Sequence, residues 1–277
     1  MKCSSITIDG VSTRYFSAGS GDTTLLLLHG IGMGGDSYLR NIPALGERFH
    51  VIAPDMLGHG ATKLPPLNGV PPALAMARHL LGLLRTLDID TCVAAGSSFG
   101  GLVAALLHLE APTLVRKLLL AGSGSTCNPV DVQSRTLRAS MDNALGAMRE
   151  ASTNVLRRRL RNIVYDDSGV DDALILSQLT TYAQPAVAQA YEQIILATID
   201  AGHDPSGRTS HRLHELRLPI LMVAGCEDVR APIELQEQYV QRFPDARLLK
   251  YERCGHFPFL EHPERFNADL TDFALTP

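Results

Sequence analysis

The serine at position 98 lies in a pattern that is typical of a reactive hydroxyl. Residues 96–100 read G-S-S-F-G, which matches G-x-S-x-G with Ser98 at its centre. An apolar run at 92–95 precedes this string and an apolar pattern at helical spacing follows it at 100–109. In such a sharp strand-to-helix turn the small neighbours permit close packing, and the serine lies at the positive end of the helix. We therefore predict that Ser98 is a nucleophile.

A serine hydroxyl is a weak nucleophile, so it needs a base and the base needs an orienting carboxylate. His256 lies in R-C-G-H-F-P-F-L-E-H-P-E, directly after the last apolar run of the chain. Asp228 ends the run P-I-L-M-V-A-G-C-E-D, and the 28 residues up to His256 have room for one helix and one strand. The chain order Ser, Asp, His then predicts a triad of Ser98, Asp228 and His256, with Glu227 as the less favoured acid.

The negative charge that develops on an attacked carbonyl oxygen needs hydrogen-bond donors. The backbone N–H of Phe99 is one candidate, and that of Ile31 in L-L-L-L-H-G-I-G-M-G-G is the other. This glycine-rich loop lacks the G-K-[ST] of a phosphate-binding loop. We predict that Asp55, in P-D-M-L-G-H-G, is a turn residue whose carboxylate ties its own loop.

Short apolar runs alternate with helical patterns along most of the chain. Such runs are typical of strands that are buried on both faces, and the alternation predicts a parallel sheet covered by helices. A hairpin that turns at Asp9-Gly10 is expected within residues 5–18. The predicted strands are 23–28, 50–53, 92–95, 118–121, 220–224 and 247–251, and the predicted helices are 71–87, 100–109, 232–242 and 263–274.

The alternation stops at residues 125–216, which read as helical, charged and strandless. We interpret this segment as a lid inserted into a core formed by residues 1–124 and 217–277. Its basic run at 157–161 is predicted to be a solvated helix face. Its apolar candidates for lining a pocket are Leu145, Met148, Ile163, Val164 and Leu179.

Composition excludes several classes of function. The 277 residues are 45% hydrophobic and carry a net charge of −4, which does not suit a disordered chain or a nucleic-acid-binding surface. No apolar run is long enough for a membrane span, and no secretory signal is visible. Five scattered cysteines predict free thiols and a cytoplasmic location. The sequence has no metal-ligand motif, so we expect neither a metal nor a cofactor. We expect a small-molecule substrate, and the sequence does not determine whether the protein forms a homo-oligomer.

These motifs together resemble the α/β-hydrolase superfamily over essentially the whole chain. The strings that carry the resemblance are H-G-I-G, P-D-M-L-G-H-G, G-S-S-F-G-G, G-C-E-D and C-G-H-F-P-F-L-E-H-P. The resemblance implies an α/β-hydrolase fold, with a mostly parallel central sheet, helices on both faces and a helical lid, and a serine hydrolase with an acyl-enzyme. Within the superfamily the chain is similar to meta-cleavage-product hydrolases and small-substrate carboxylesterases. The string R-N-I-V-Y-D-D-S-G-V-D-D-A-L is similar to the carbon–carbon hydrolases.

The substrate-binding candidates are four residues: Ser37, Ser97, Gln178 and Phe257. Three of them differ from the residue usual in carbon–carbon hydrolases: Ser97 replaces asparagine, Phe257 replaces tryptophan, and Gln178 replaces a lid arginine that binds the substrate carboxylate. A neutral glutamine brings no charge, although another lid arginine such as Arg161 could supply it.

Three hypotheses for the function follow from these residues. Hydrolysis of a small, largely apolar carboxylic ester ranks first, and cleavage of a 2-hydroxy-6-oxo-dienoate ranks second. The third, from another class, is a ligand-binding receptor on the same fold. The serine at position 98 counts against family members that use an aspartate nucleophile.

Overall fold

A computed structural model describes residues 1–167 and 169–276. Its centre is an eight-stranded sheet in the order β1-β2-β4-β3-β5-β6-β7-β8. The strands are β1 Lys2–Ile8, β2 Val11–Ala18, β3 Thr24–Leu28, β4 His50–Pro54, β5 Cys92–Ser97, β6 Val115–Ala121, β7 Ile220–Gly225 and β8 Ala246–Tyr251.

The first two strands form the predicted hairpin. β1 pairs antiparallel with β2, and Asp9 and Gly10 at the turn have φ angles of 48° and 81°. Two successive positive φ angles are those of the tight turns that match strand twist. β2 also pairs antiparallel with β4, whereas all neighbours from β4 to β8 are parallel. The mostly parallel central sheet predicted from the sequence is confirmed.

Helices cover both faces of the sheet, so its central strands carry apolar side chains throughout. All residues of β3, β5 and β7 are buried. All five cysteines are free thiols. The helices are α1 Ile42–Leu45, α2 Pro72–Thr86, α3 Phe99–Glu110, α4 Gly124–Cys127, α5 Val130–Glu150, α6 Thr153–Arg161, α7 Asp172–Tyr182, α8 Pro185–Asp200, α9 Ile233–Val240, α10 Pro258–Glu261 and α11 Pro263–Leu275. Within residues 1–167 and 169–276, no helix combines the length and apolarity that crossing a membrane requires.

The parallel strands end at one edge of the sheet, where the loops that follow them meet. In open sheets of this kind ligands bind at the carboxyl edge. The loops after β3, β5, β7 and β8 carry, in that order, the four predicted groups Ile31, Ser98, Asp228 and His256. The fold therefore gathers them at one edge.

Helices α4–α8 and three short 3-10 helices fill the chain between β6 and β7, and its described residues contain no strand. We call residues 125–216 the helical insertion. The predicted solvated face at 157–161 needs one correction. Arg157 and Arg161 pair with acidic residues near the surface, but Arg159 is only 5% exposed. Residues two apart lie on nearly opposite sides of a helix, so Arg159 points inward.

Candidate active site

Ser98 occupies the tight turn between β5 and α3. Its φ of 51° and ψ of −118° lie outside the regions that most side chains adopt, which is a strained conformation of the kind found at functional sites. Its N–H donates to the carbonyl of Ala121 at 2.9 Å, and its carbonyl accepts from the Ser123 hydroxyl at 2.7 Å. These bonds to the end of β6 hold the turn in place.

Two glycines flank the turn because the backbone packs too closely for a side chain. A Cβ on Gly96 would lie 2.5 Å from the carbonyl oxygen of Gly100. A Cβ on Gly100 would lie 2.4 Å from the carbonyl oxygen of Leu28 in β3. The G-x-S-x-G spacing is therefore a packing requirement of this turn.

His256 and Asp228 lie side by side. The Nδ1 atom of His256 is 2.8 Å from Oδ2 and 3.0 Å from Oδ1 of Asp228. The carboxylate also accepts the backbone N–H groups of Arg230 at 2.8 Å and Ala231 at 3.0 Å. Because an ionised carboxylate only accepts, Nδ1 of His256 carries the proton and Nε2 is left as the basic nitrogen.

Glu261 holds the backbone on both sides of His256. Its carboxylate accepts the N–H of Gly255 at 2.8 Å and that of Phe257 at 3.0 Å. The N–H of His256 itself donates to the carbonyl of Ile163, at the start of the loop after α6, at 2.9 Å. Burial raises the pKa of Glu261. Sequence reasoning missed this residue, although it lies in the same C-G-H-F-P-F-L-E-H-P string.

The loop after β3 is fixed by a buried histidine. The Nε2 atom of His29 accepts the N–H of Met56 at 3.0 Å, so its Nδ1 donates to the carbonyl of Gly30 at 2.8 Å. Burial lowers the pKa of His29 to about 4, which keeps the ring neutral at neutral pH. The N–H of a trans peptide points away from its carbonyl, so this bond also sets the direction of the Ile31 N–H.

Asp55 ties its own loop through Ala61, as predicted, and also joins it to the loop after β3. Its carboxylate accepts the N–H groups of Gly35 and Ala61, each at 2.8 Å. The guanidinium of Arg14 lies 2.6 Å from the same carboxylate and also bonds to Asp36. The role is structural, because each of these contacts joins loop backbone or β2 to the end of β4.

The helical insertion docks on the loop after β3 through two short hydrogen bonds. Ser177 donates to Asp36 at 2.5 Å, and Tyr182 donates to the carbonyl of Gly32 at 2.6 Å. Both donors lie on α7, and burial raises the pKa of Asp36. The insertion is thus attached directly beside Ile31.

A small cavity joins the candidate catalytic residues. Its free volume is about 20 Å³, which holds about one water molecule. Core and insertion both contribute to its walls. The lining residues are Gly30, Ile31, Ser98, Ser140, Asn143, Arg159, Ile163, Tyr191, Arg230, His256 and Phe257.

The structure brings together some of the predicted site residues and not others. Ile31, Ser98, His256 and Phe257 line the cavity, and Asp228 lies behind His256. Phe99 is fully buried at the start of α3, where its N–H is at the positive end of the helix. Of the five apolar candidates in the insertion, the lining includes Ile163 alone.

The other three substrate-binding candidates are buried outside this lining. Among the described residues, the hydroxyls of Ser37 and Ser97 have no hydrogen-bond partner. Gln178 is 3% exposed and its Nε2 lies 2.7 Å from Sδ of Met33. Ser97 ends β5, and its side chain emerges on the side of the strand opposite to its neighbours'.

Two arginines in the cavity were not predicted. Arg159 projects from α6, with its guanidinium 5.4 Å from the ring centre of Tyr182. Arg230 lies two residues after Asp228, and its Nη1 donates to the Ser140 hydroxyl. Burial and the nearby charge of Arg159 lower the pKa of Arg230. The sequence signal for Arg230 was its place beside the predicted acid.

Comparisons with known proteins agree with this fold. A family model described as alpha/beta hydrolase fold matches residues 23–263. A 2-hydroxy-6-oxononadienedioate/2-hydroxy-6-oxononatrienedioate hydrolase of Paraburkholderia phymatum is 30% identical over 264 residues, which cover 94% of this chain and 90% of the relative. A 2-hydroxy-6-oxo-6-(2'-aminophenyl)hexa-2,4-dienoic acid hydrolase of Metapseudomonas resinovorans is 30% identical, and the match covers 95% of this chain and 87% of the relative.

Solved structures of hydrolases are also similar to this chain over nearly its whole length. A meta-cleavage product hydrolase from Pseudomonas fluorescens has a TM-score of 0.81 at 26% identity, and the match covers 98% of this chain and 96% of that one. An N-acyl homoserine lactone degrading enzyme has a TM-score of 0.76 at 25% identity, covering 98% of this chain and 100% of that one. With the family model matching most of its length, the chain belongs to the alpha/beta hydrolase fold family and resembles its meta-cleavage-product hydrolases.

Proposed function

We propose that the protein is a serine hydrolase that cleaves a bond beside a carbonyl carbon of a small molecule. The observation that carries this proposal is that the strained Ser98 turn shares one cavity with His256, which is in turn bonded to Asp228. The helical insertion acts as a lid, because its residues close the cavity over Ser98.

In the first step His256 takes the proton of the Ser98 hydroxyl and the oxygen attacks the carbonyl carbon. The carbonyl oxygen becomes negative and is stabilised by the N–H groups of Ile31 and Phe99. His29 keeps the Ile31 N–H in the required direction through its bond to the Gly30 carbonyl.

In the second step the tetrahedral intermediate collapses and the leaving fragment takes the proton from His256. An acyl group remains on Ser98. Water then attacks this acyl-enzyme with His256 as the base, which releases the acid and restores the serine. Asp228 stabilises the imidazolium that forms in each half of the reaction.

The substrate proposed first is a ketone of the 2-hydroxy-6-oxo-dienoate type, so the broken bond joins two carbons. Support comes from the relatives that are 30% identical over nearly the whole chain and are named as hydrolases of such compounds. A carbon departs readily only if its charge is conjugated, so the substrate first transfers its 2-hydroxyl proton to C5. The bond from C5 to the attacked carbonyl carbon then breaks, its electron pair passes through the conjugated system to the 2-oxygen, and this oxygen takes the proton from His256. This order differs from the ranking by sequence, which placed esters first.

Ester hydrolysis is the second candidate. The same steps serve an ester, with an alcohol as leaving group, and Gln178 on α7 brings no charge for a carboxylate. The structural similarity to an N-acyl homoserine lactone degrading enzyme also supports this candidate.

The experiment is a side-by-side assay of the protein on a 2-hydroxy-6-oxo-dienoate and on short 4-nitrophenyl esters. Carbon–carbon cleavage predicts that kcat/KM for the dienoate exceeds that for the esters by at least about 100-fold, about 2.7 kcal/mol of barrier. A larger kcat/KM for the esters would put ester hydrolysis first. Binding without turnover of either compound would favour a ligand-binding receptor.

A further inference from the structure

The cavity above Ser98 is lined by two arginines, Arg159 and Arg230, whose positive charges are destabilised by burial. Arg159 is 5% exposed, and in the described part of the chain its Nε and Nη1 have no hydrogen-bond partner. A buried guanidinium whose N–H groups lack hydrogen-bond partners loses hydration at those groups and regains little in exchange. Such a side chain is far more stable when an anion is present.

Arg230 makes the burial of the Arg159 charge still less favourable. Its side chain also lines the cavity, and its Nη1 donates to the neutral hydroxyl of Ser140. Burial and the charge of Arg159 both disfavour its protonated form and lower its pKa. Two like charges that share one small cavity repel each other, and an anion between them would remove that repulsion.

The neighbouring arginines of the same helix show the contrast. Arg157 forms an ion pair with Asp172, and Arg161 forms one with Asp167. Those pairs lie near the surface and hold α6 to the chain that follows it. Arg159 instead faces the cavity, whose lining contains no acidic side chain among the residues that the structure describes. Apart from Arg230 and His256, the other polar side chains of the lining are the neutral Ser98, Ser140, Asn143 and Tyr191.

Arg159 also lies close to the atoms that react. A Cβ on Gly32 would be 3.2 Å from its Nη2, which places the guanidinium beside the loop of Ile31. A guanidinium presents parallel N–H groups that match the two oxygens of a carboxylate. A substrate carboxylate bound there would fix the distance between its charge and the carbonyl at Ser98.

We propose that Arg159 and Arg230 form a carboxylate-binding subsite of the active site, so that the substrates are small carboxylates. The proposal rests on the proposed function and deepens it. It places charge recognition on α6 and the loop after β7, and not on α7, where Gln178 is neutral.

The first experiment compares charged and neutral ester substrates of equal length. The charged set is the 4-nitrophenyl hemiesters of succinic, glutaric and adipic acids, with 4-acetoxybenzoate for a charge on the leaving group. Each has a neutral counterpart, and the measured quantity is the charged-to-neutral ratio of kcat/KM. In the unchanged protein we expect a charged-to-neutral ratio above 10 for at least one pair. That ratio should fall by at least tenfold in Arg159→Gln and in Arg230→Gln. It should fall by less in Arg159→Lys, which keeps the positive charge.

The control is Arg161→Gln, which removes a charge from the same helix at a residue paired with Asp167 outside the cavity. Its ratio should equal that of the unchanged protein. Thermal unfolding of each variant identifies any loss of fold. A ratio near 1 for all pairs, or an equal ratio in the unchanged protein and both glutamine variants, would overturn the proposal.

The second experiment does not depend on turnover. Glutarate binding is measured by calorimetry on the Ser98→Ala protein with and without Arg159→Gln. At least tenfold weaker binding in the double variant supports the subsite even if Ser98 is not the nucleophile. Equal binding by the two proteins would overturn the subsite while leaving the proposed serine mechanism standing.

Discussion

The Nδ1 atom of His256 lies 2.8 Å from Oδ2 of Asp228, although 28 residues separate them in the chain. The N–H groups of Arg230 and Ala231 fix the carboxylate from the other side. The pair is buried, so the carboxylate is held in one orientation and determines which nitrogen of the imidazole is free to act as a base.

Replacing Asp228 by Asn should lower kcat/KM by at least about 100-fold, about 2.7 kcal/mol of barrier. An amide that keeps its bonds to the two N–H groups presents its NH₂ to Nδ1, which favours the wrong tautomer of His256. The control is Glu227→Gln, because Glu227 accepts the N–H of Cys254 at 2.8 Å and an amide oxygen can do the same. Equal losses in both variants would argue against Asp228 as the orienting acid.

Replacing Ser177 by Ala should loosen the attachment of α7 to the core. The lost hydrogen bond to Asp36 involves a largely buried carboxylate, and such bonds contribute about 1.5–3 kcal/mol. We expect a lower free energy of unfolding in urea, faster hydrogen exchange in α7 and a raised KM. Thr180→Ala is the matched control, because Thr180 bonds within the same helix to the carbonyl of Ser177. Unchanged exchange in α7 of the Ser177 variant would contradict the docking role.

Stability should fall as the pH decreases from about 6.5. Burial lowers the pKa of His29 to about 4 and that of His59 to about 3, whereas both residues titrate near 6.5 in the unfolded chain. Between these values the unfolded chain binds more protons, so the free energy of unfolding decreases with falling pH by up to about 1.4 kcal/mol per unit for each histidine.

Urea unfolding of His59→Gln at several pH values from 7 to 4.5 tests this expectation. The variant retains His29 and lacks His59, so its stability should change less steeply with pH than that of the unchanged protein. His203→Gln, at an exposed position, should keep the original slope. An unaltered slope in the His59 variant would show that this histidine is not a source of the pH dependence.

The sequence predicted the strands and the nucleophile turn because their signals are local. Apolar runs mark β3, β5 and β7, and the glycines around Ser98 are required by contacts that span only a few residues or one neighbouring strand. The strand β6 begins at Val115, three residues before the apolar run that predicted it. The charged residues Arg116 and Lys117 interrupt the apolar pattern there, so the sequence carries no signal for the first part of the strand.

The cavity walls were harder to predict because they depend on how the helical insertion docks. Arg159 belongs to a basic run whose residues look alike in the sequence. It points inward, while Arg161 stays at the surface, because of the way α6 is rotated about its axis where it packs on the core. Gln178 aligned with a substrate-binding position by sequence, yet its side chain packs on Met33 outside the cavity lining. Periodicity within one helix does not determine which neighbour each face meets.

The central claim is that Ser98 is the nucleophile, and it can be tested directly by covalent labelling. A fluorophosphonate should modify the unchanged protein on Ser98, identified by mass spectrometry of its peptides, with parallel loss of turnover. Ser98→Ala should block labelling and lower kcat by several orders of magnitude, whereas Ser97→Ala, at a buried hydroxyl next to it, should still be labelled. Full labelling or full turnover in the Ser98→Ala protein would contradict the account.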